Sequence, residues 1–289
     1  MKKLWLSVFA CLCFIHLNGG TIKDFQAAQN EFRSSRWLKA AEKYLALEKK
    51  VKGPVKEKVL SYAAIALASG RKVKEANAAA ARITAPDWKA YTTLRILSAT
   101  GKHRQIVKDF ASADINSWSE DIAYLGFFNR GRSFFYTRQY PRAIADLEKC
   151  AADAGSDNTV KILALNSLIH AAWQNKNTAA AVKYADQVIR ITSHRGFHAY
   201  LDSCLSKARI LAQEKKFADA EKTLADFNRG RNWKGGGVWY FHYLVTCGDV
   251  ALAQGKKAQA KEFYNRALST KNVAAGFKKP LQNKMKSIK

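Results

Sequence analysis

The sequence contains none of the short signatures that announce a reaction. There is no G-x-S-x-G elbow, no glycine loop followed by Lys-Ser/Thr for phosphate, and no H-E-x-x-H pair. The acids fall mostly beside Lys or Arg at solvated helix positions, as in Glu148-Lys149 and Glu221-Lys222. Cysteine is scarce, at 5 in 289 residues, and no two cysteines have metal-ligand spacing. His194 and His198 are four apart, but Gly196 lies between them and no acidic third ligand stands beside them. No catalytic residue, metal or cofactor is therefore expected. Proline is rarer still, at 4, and glycine amounts to 16, so little in the chain interrupts helices. After residue 17 no apolar run is long enough to cross a bilayer. Acid is in short supply as well. Against 23 Asp and Glu stand 49 Lys and Arg, a net charge of +26 that repels itself and attracts anions.

What the chain has is a repeated pattern. The stretch from Phe127 to Ala152 reads as two short helices with a turn around Arg138–Gln139. The first sets small Gly131 beside Phe134 and Phe135. The second carries Tyr140, Ala143, Leu147 and Cys150 on one face. A small residue on each helix lets two backbones approach, and the large ones fill the groove beside them. Clear copies run over 25–47, 200–227 and 243–268, and weaker ones over 59–83, 88–110 and 161–188. The second-helix anchors are Ala40, Ala76, Val107, Ala143, Ala181, Ala220 and Ala260, in steps of 36, 31, 36, 38, 39 and 40. Such a period means stacked units with one core running through them.

These units resemble tetratricopeptide repeats. The small residue of the first helix, the aromatic opening the second, and Ala followed by a large residue all match in 131–150 and 208–227. The stretch 248–268, GDVALAQGKKAQAKEFYNRAL, matches closely, with Lys257 where the aromatic would stand. The resemblance spans about residues 22–270 and implies an all-α, right-handed solenoid of about seven hairpins.

Residues 1–20 read as a secretory signal: Lys2 and Lys3, the apolar run Leu4–Leu17, then Asn18-Gly19-Gly20. Residues 21–270 form the repeat domain, and 271–289 a basic capping segment or tail with six Lys and no acid. Export permits disulfides, so Cys204 and Cys247 are either bridged between consecutive first helices or buried as free thiols. Asp87 is placed to cap the helix carrying Trp88. The connector 228–240, NRGRNWKGGGVWY, mixes Arg, aromatics and Gly. It reads either as a stacking clamp for a single strand or sugar, or as a long inter-repeat loop.

The resemblance also implies that first helices line a concave groove. On that pattern Gly131 puts Phe128, Asn129 and Arg132 in the groove, and Ala208 adds Arg209. In the fifth unit Asn166 and His170 fall nearby. The expected function is an exported, non-catalytic scaffold holding a peptide or protein segment, acidic in character, in that groove. The alternative is a cell-envelope adaptor that binds anionic polymer or lipid through basic connectors and tail. Export disfavours nucleic acid as the ligand.

Overall fold

Each repeat turns the chain back on itself in the same way. The first helix ends in a residue in the left-handed region: Ser35, Arg71, Gly101, Arg138, Lys176, Lys215 and Gly255, with φ between +57° and +79°. The next amide reaches back to a carbonyl five residues earlier, as Lys72 N–H does to Leu67 (2.8 Å) and Gln139 N–H to Phe134 (2.8 Å). This closure satisfies a carbonyl that the helix end would leave orphaned. Only two of the seven positions are glycine, so the other five hold L-residues in a conformation that costs energy.

The structure, a computed structural model, describes residues 19–155, 157–192, 198–233 and 236–288. The fold class is the expected one, an all-α solenoid of helical hairpins, with no strand among the described residues. The hairpins pair α1 (Gly19–Arg33) with α2 (Trp37–Glu48), α3 (Gly53–Ser69) with α4 (Val73–Ala81), and α5 (Pro86–Ala99) with α6 (His103–Phe110). There follow α7 (Glu120–Tyr136) with α8 (Tyr140–Asp153), and α9 (Asn158–Gln174) with α10 (Thr178–Ile191). The last two join α11 (His198–Gln213) to α12 (Phe217–Asn228) and α13 (Val238–Ala253) to α14 (Lys257–Leu268), and α15 (Ala275–Lys286) ends the chain. The chain divides within α9 into two compact units, the first ending at Ala164 and the second beginning at Leu165.

In the first unit, Ala28, Ala40, Tyr44, Leu47, Val59 and Ala63 share one core, and Leu60, Ile65, Ile83, Trp88, Tyr91 and Ile122 share the next. Gly131 shows why small residues recur. A Cβ there would lie 2.9 Å from Leu147 Cγ and 3.0 Å from Asp146 Cβ. In the second unit Gly248 does the same for Tyr264, whose ring would be 2.3 Å from an added Cβ. Ala40, Ala76, Ala143, Ala181, Ala220 and Ala260 are all fully buried, as anchors should be.

The third hairpin needs a correction. Val107 is only half-buried, whereas Ile106 is fully buried. In every repeat the anchor amide bonds the carbonyl of the residue preceding the second helix, as Ala143 does to Gln139 (3.0 Å). Here Ile106 makes that bond to Lys102 (3.1 Å). The anchor is therefore Ile106, and the steps around it become 30 and 37.

Two smaller expectations also change. Asp87 does not precede its helix: α5 begins at Pro86, and Asp87 accepts from Trp88 N–H (2.7 Å) and Ser119 N–H (3.1 Å). Cys150, Cys204 and Cys247 are all free and buried, so the Cys204–Cys247 bridge does not form. Burial pushes the Cys204 and Cys247 thiols up to about 11 and Cys150 up to about 12, which keeps them protonated and unreactive. The tail holds a 12-residue helix despite Pro280 inside it. Burial of Leu281 against the last hairpin compensates for the lost backbone bond. The signal stretch lies outside the described residues except for Gly19 and Gly20, which open α1. No helix among the described residues is long and apolar enough to cross a membrane.

Candidate functional site

The first-helix residue eleven positions before each second-helix anchor defines a row in each unit. With the third anchor at Ile106, that row reads Gln29, Ile65, Arg95 and Arg132 in the first unit, and His170, Arg209 and Asp249 in the second. Arg95 went unread in the sequence because Val107 set the register of its repeat. The signal was there: Gly101-Lys102 matches Gly255-Lys256, and aligning those two turns gives Ile106.

In the first unit α3, α5 and α7 place Tyr62, Tyr91 and Tyr124 together with Arg95. Burial pushes the Tyr62 and Tyr91 phenols up to about 12, while the Arg95 charge pulls both the other way. Burial, then the Asp157 carboxylate, raises Tyr124. Arg95 Nη1 donates to Asn129 Oδ1 (3.0 Å), and Asn129 Nδ2 donates to the Leu125 carbonyl (2.6 Å). The Arg95 Nε is buried without a hydrogen-bond partner. So is Asp157 Oδ2, although Asp157 Oδ1 caps α9 by accepting from Thr159 and Val160 N–H. The first unit therefore presents a guanidinium donor and a carboxylate acceptor, both unsatisfied, beside three tyrosines.

Asn129 is not the solvent-facing groove residue the sequence suggested. It is 1% exposed, because its amide is spent on orienting Arg95 and capping a carbonyl inside the helix stack. Phe128 is buried too, at 8% exposed, with the Arg132 guanidinium 5.5 Å from its ring. Arg132 is half-buried and also lies 5.6 Å from the Tyr136 ring, donating to its hydroxyl (3.0 Å). His103 stacks on Tyr136 at 4.3 Å. Its Nδ1 is 3.2 Å from Ser133 Oγ, which itself donates to the Asn129 carbonyl (2.8 Å), so Nδ1 carries the proton. Burial, then the nearby Arg132 charge, holds His103 below its ordinary value.

In the second unit Asn166 is half-buried and accepts from Ser203 Oγ (2.9 Å), and His170 is half-buried beside it in the chain. Arg209 is already occupied: its Nε is 3.3 Å from Asp249 Oδ2. The other Asp249 oxygen takes Tyr264 Oη (2.8 Å) and Lys284 Nζ (2.5 Å) from α15. The basic character expected of Arg209 is thus offset by an acid that the same row supplies one repeat later.

The connector's aromatics also turn inward. Trp233 stacks on Phe227, Tyr240 and Tyr243, and its Nε1 donates to Asn228 Oδ1 (2.6 Å). That is the geometry of an inter-repeat loop. His198 accepts from Trp239 Nε1 (2.7 Å), and His194 lies outside the described residues. Among the described residues no three His, Cys, Asp or Glu side chains are grouped to hold a metal.

Residues 242–272, which cover most of the last hairpin, match the tetratricopeptide repeat family model. The fold is tetratricopeptide-repeat-like. It is similar to that of a tetratricopeptide repeat protein from Parabacteroides merdae (TM-score 0.50, 14% identity, 93% of this chain and 98% of that one). It is also similar to PilF from Pseudomonas aeruginosa (TM-score 0.53, 13% identity, 91% of this chain and 97% of that one). No curated protein matches the sequence.

Proposed function

We propose that this chain is an exported, non-catalytic scaffold that holds an extended peptide or protein segment against the first-helix face of its repeats. The tetratricopeptide-like fold supports an interaction role, because stacked hairpins offer an extended surface of side chains rather than an enclosed cavity. The observation that carries the reading is Arg95. An unpaired buried donor costs about 1–3 kcal/mol, a penalty that a ligand oxygen removes. The unpaired Asp157 oxygen complements it by accepting a ligand N–H, so the pair suits a peptide, which offers both. Arg132, oriented by Phe128 and Tyr136, adds a preference for acidic segments. Export is supported by Lys2, Lys3 and the apolar run Leu4–Leu17.

The test is capture of a partner from envelope extract by the mature chain, followed by calorimetry on variants. Arg95→Ala and Arg132→Ala should each weaken binding by about tenfold or more. Arg209→Ala should change it little, since Asp249 already holds that side chain. Partner binding unaffected by both first-unit substitutions would sink the reading. An intact mass beginning at Met1 in protein from its own host would sink the export.

A further inference from the structure

We infer that the edge formed by the hairpin turns is a docking surface for an anionic phospholipid bilayer, separate from the first-helix face. In the first unit the turns carry Arg36, Arg71, Lys72, Lys102, Arg104 and Arg138, all exposed. Neighbouring turns are side by side. A Cβ on Gly70, at the second turn, would lie 2.6 Å from Leu38 at the first. His103 of the third stacks on Tyr136 of the fourth, and Arg104, Val107, Tyr136 and Arg138 line one shallow depression. Stacked helices lie about 8–10 Å apart, so these cations form a regular row along one edge.

The row is available. The side chains of Arg71, Lys102, Arg104 and Arg138 make no hydrogen bond, ion pair or ring contact among the described residues. Arg36 pairs with Glu31, and Lys72 lies 3.9 Å from Glu75. In the connector and tail several cations are engaged within the chain, although Lys271, Lys279 and Lys286 are exposed and make no such side-chain contact among the described residues. Arg229 pairs with Asp226, Arg231 donates to the Phe227 carbonyl, Lys278 to that of Thr270, and Lys284 to Asp249. The turns of the second unit repeat the feature in Lys176, Lys215, Lys216, Lys256 and Lys257, each exposed and with no such contact among the described residues.

One observation favours a bilayer over a soluble polymer. Leu38 and Tyr136, two of the large apolar side chains that stay exposed (49% and 52%), sit on this same edge among the cations. Exposed apolar and aromatic groups flanked by Lys and Arg suit the interface of an anionic membrane, where rings sit at headgroup depth and cations meet phosphates.

The experiment is co-sedimentation with vesicles of about one-third phosphatidylglycerol in phosphatidylcholine, and with phosphatidylcholine alone. The parent should bind the first and not the second, and salt should release it. The variant Arg71→Asn/Lys102→Gln/Arg104→Gln/Arg138→Asn should lose on the order of a hundredfold in vesicle partition while melting near the parent. Asn is chosen at the two left-handed positions because it tolerates them. Leu38→Ser should weaken partition to the same vesicles, and Tyr136 is left in place because it also orients Arg132. The proposal is overturned if the fourfold variant binds as the parent does, or if neutral vesicles bind equally well. It is also overturned if soluble polyphosphate binds at this edge while vesicles do not. Peptide capture by the first-helix face reads out independently, so either result leaves the other standing.

Discussion

The Arg130 guanidinium grips both oxygens of Asp146, at 2.7 and 2.9 Å, and ties both helices of the fourth repeat to the end of the third. Arg130 lies on α7 and Asp146 on α8. The free edge of the guanidinium donates to the Phe110 and Ala113 carbonyls that follow α6. Both side chains are about 90% buried, and Phe127 and Phe134 flank the charge. The pair satisfies the carbonyls left open at the end of α6, a task no apolar residue can perform.

Breaking this pair should be costly. Arg130→Ala should destabilise the chain by about 3–5 kcal/mol in urea unfolding, because it strands a buried carboxylate and two carbonyls. The double replacement Arg130→Met/Asp146→Leu should recover most of that, leaving the cost of the carbonyls alone. If the single and double variants unfold at the same urea concentration, the carboxylate is solvated and the pair is not the cross-link described here.

The register of the third repeat is open to direct measurement. Ile106→Ala should cost about 2–5 kcal/mol, since it empties a fully buried site beside Leu94 and Phe110. Val107→Ala should cost well under half as much, its side chain being half-exposed. Ala143→Leu belongs to the same test. It inserts volume at a fully buried position where α7 and α8 meet at Gly131, and should cost about 1–3 kcal/mol.

The hairpins were legible in the sequence because each second helix carries its small and large residues on one face. Six of the seven anchors fall where the period puts them. The third was misplaced because it is Ile rather than Ala, and a size-based template slides by one onto Val107. That slip hid Arg95, which the row of first-helix residues otherwise exposes. The fates of Asn129 and Arg209 were not legible. Whether a polar side chain faces solvent or is consumed by a neighbour depends on the adjacent repeat, and the partners lie in other repeats: Arg95 for Asn129, Asp249 for Arg209. Cys204 and Cys247 illustrate the same limit. Spacing permits a bridge, and packing decides against it.

Acid should weaken the fold through histidine. His103 and His242 are both held below their ordinary value by burial, then by Arg132 and Arg209 respectively. The unfolded chain therefore binds more protons between the lowered folded values and about 6.5, so stability must fall as pH drops through that window. His103→Gln should flatten part of the slope of unfolding free energy against pH between about 7 and 5. An unchanged slope would mean that His103 protonates freely in the folded chain.

The C-terminal helix is a cap, and removing it should unfold its neighbour rather than merely shed charge. Leu281 is 5% exposed and packs with Phe241, Leu244, Ala251 and Tyr264, while Met285 and Ile288 border the same cluster. Lys278 and Lys284 fasten the helix at Thr270 and Asp249. A last repeat with its apolar face uncovered needs such a lid. Ending the chain at Ala274 should expose that cluster and cost about 2–5 kcal/mol, with increased dye binding to the second unit. Lys284→Met separates the two contributions. It keeps the apolar cover, so stability should change by no more than about 1 kcal/mol. Asp249 Oδ1 keeps the Tyr264 hydroxyl and Oδ2 keeps Arg209, so the carboxylate is not left unpaired. Truncation without loss of stability would show that α15 is not a cap, and Lys284→Met as damaging as truncation would show that charge rather than burial holds it in place.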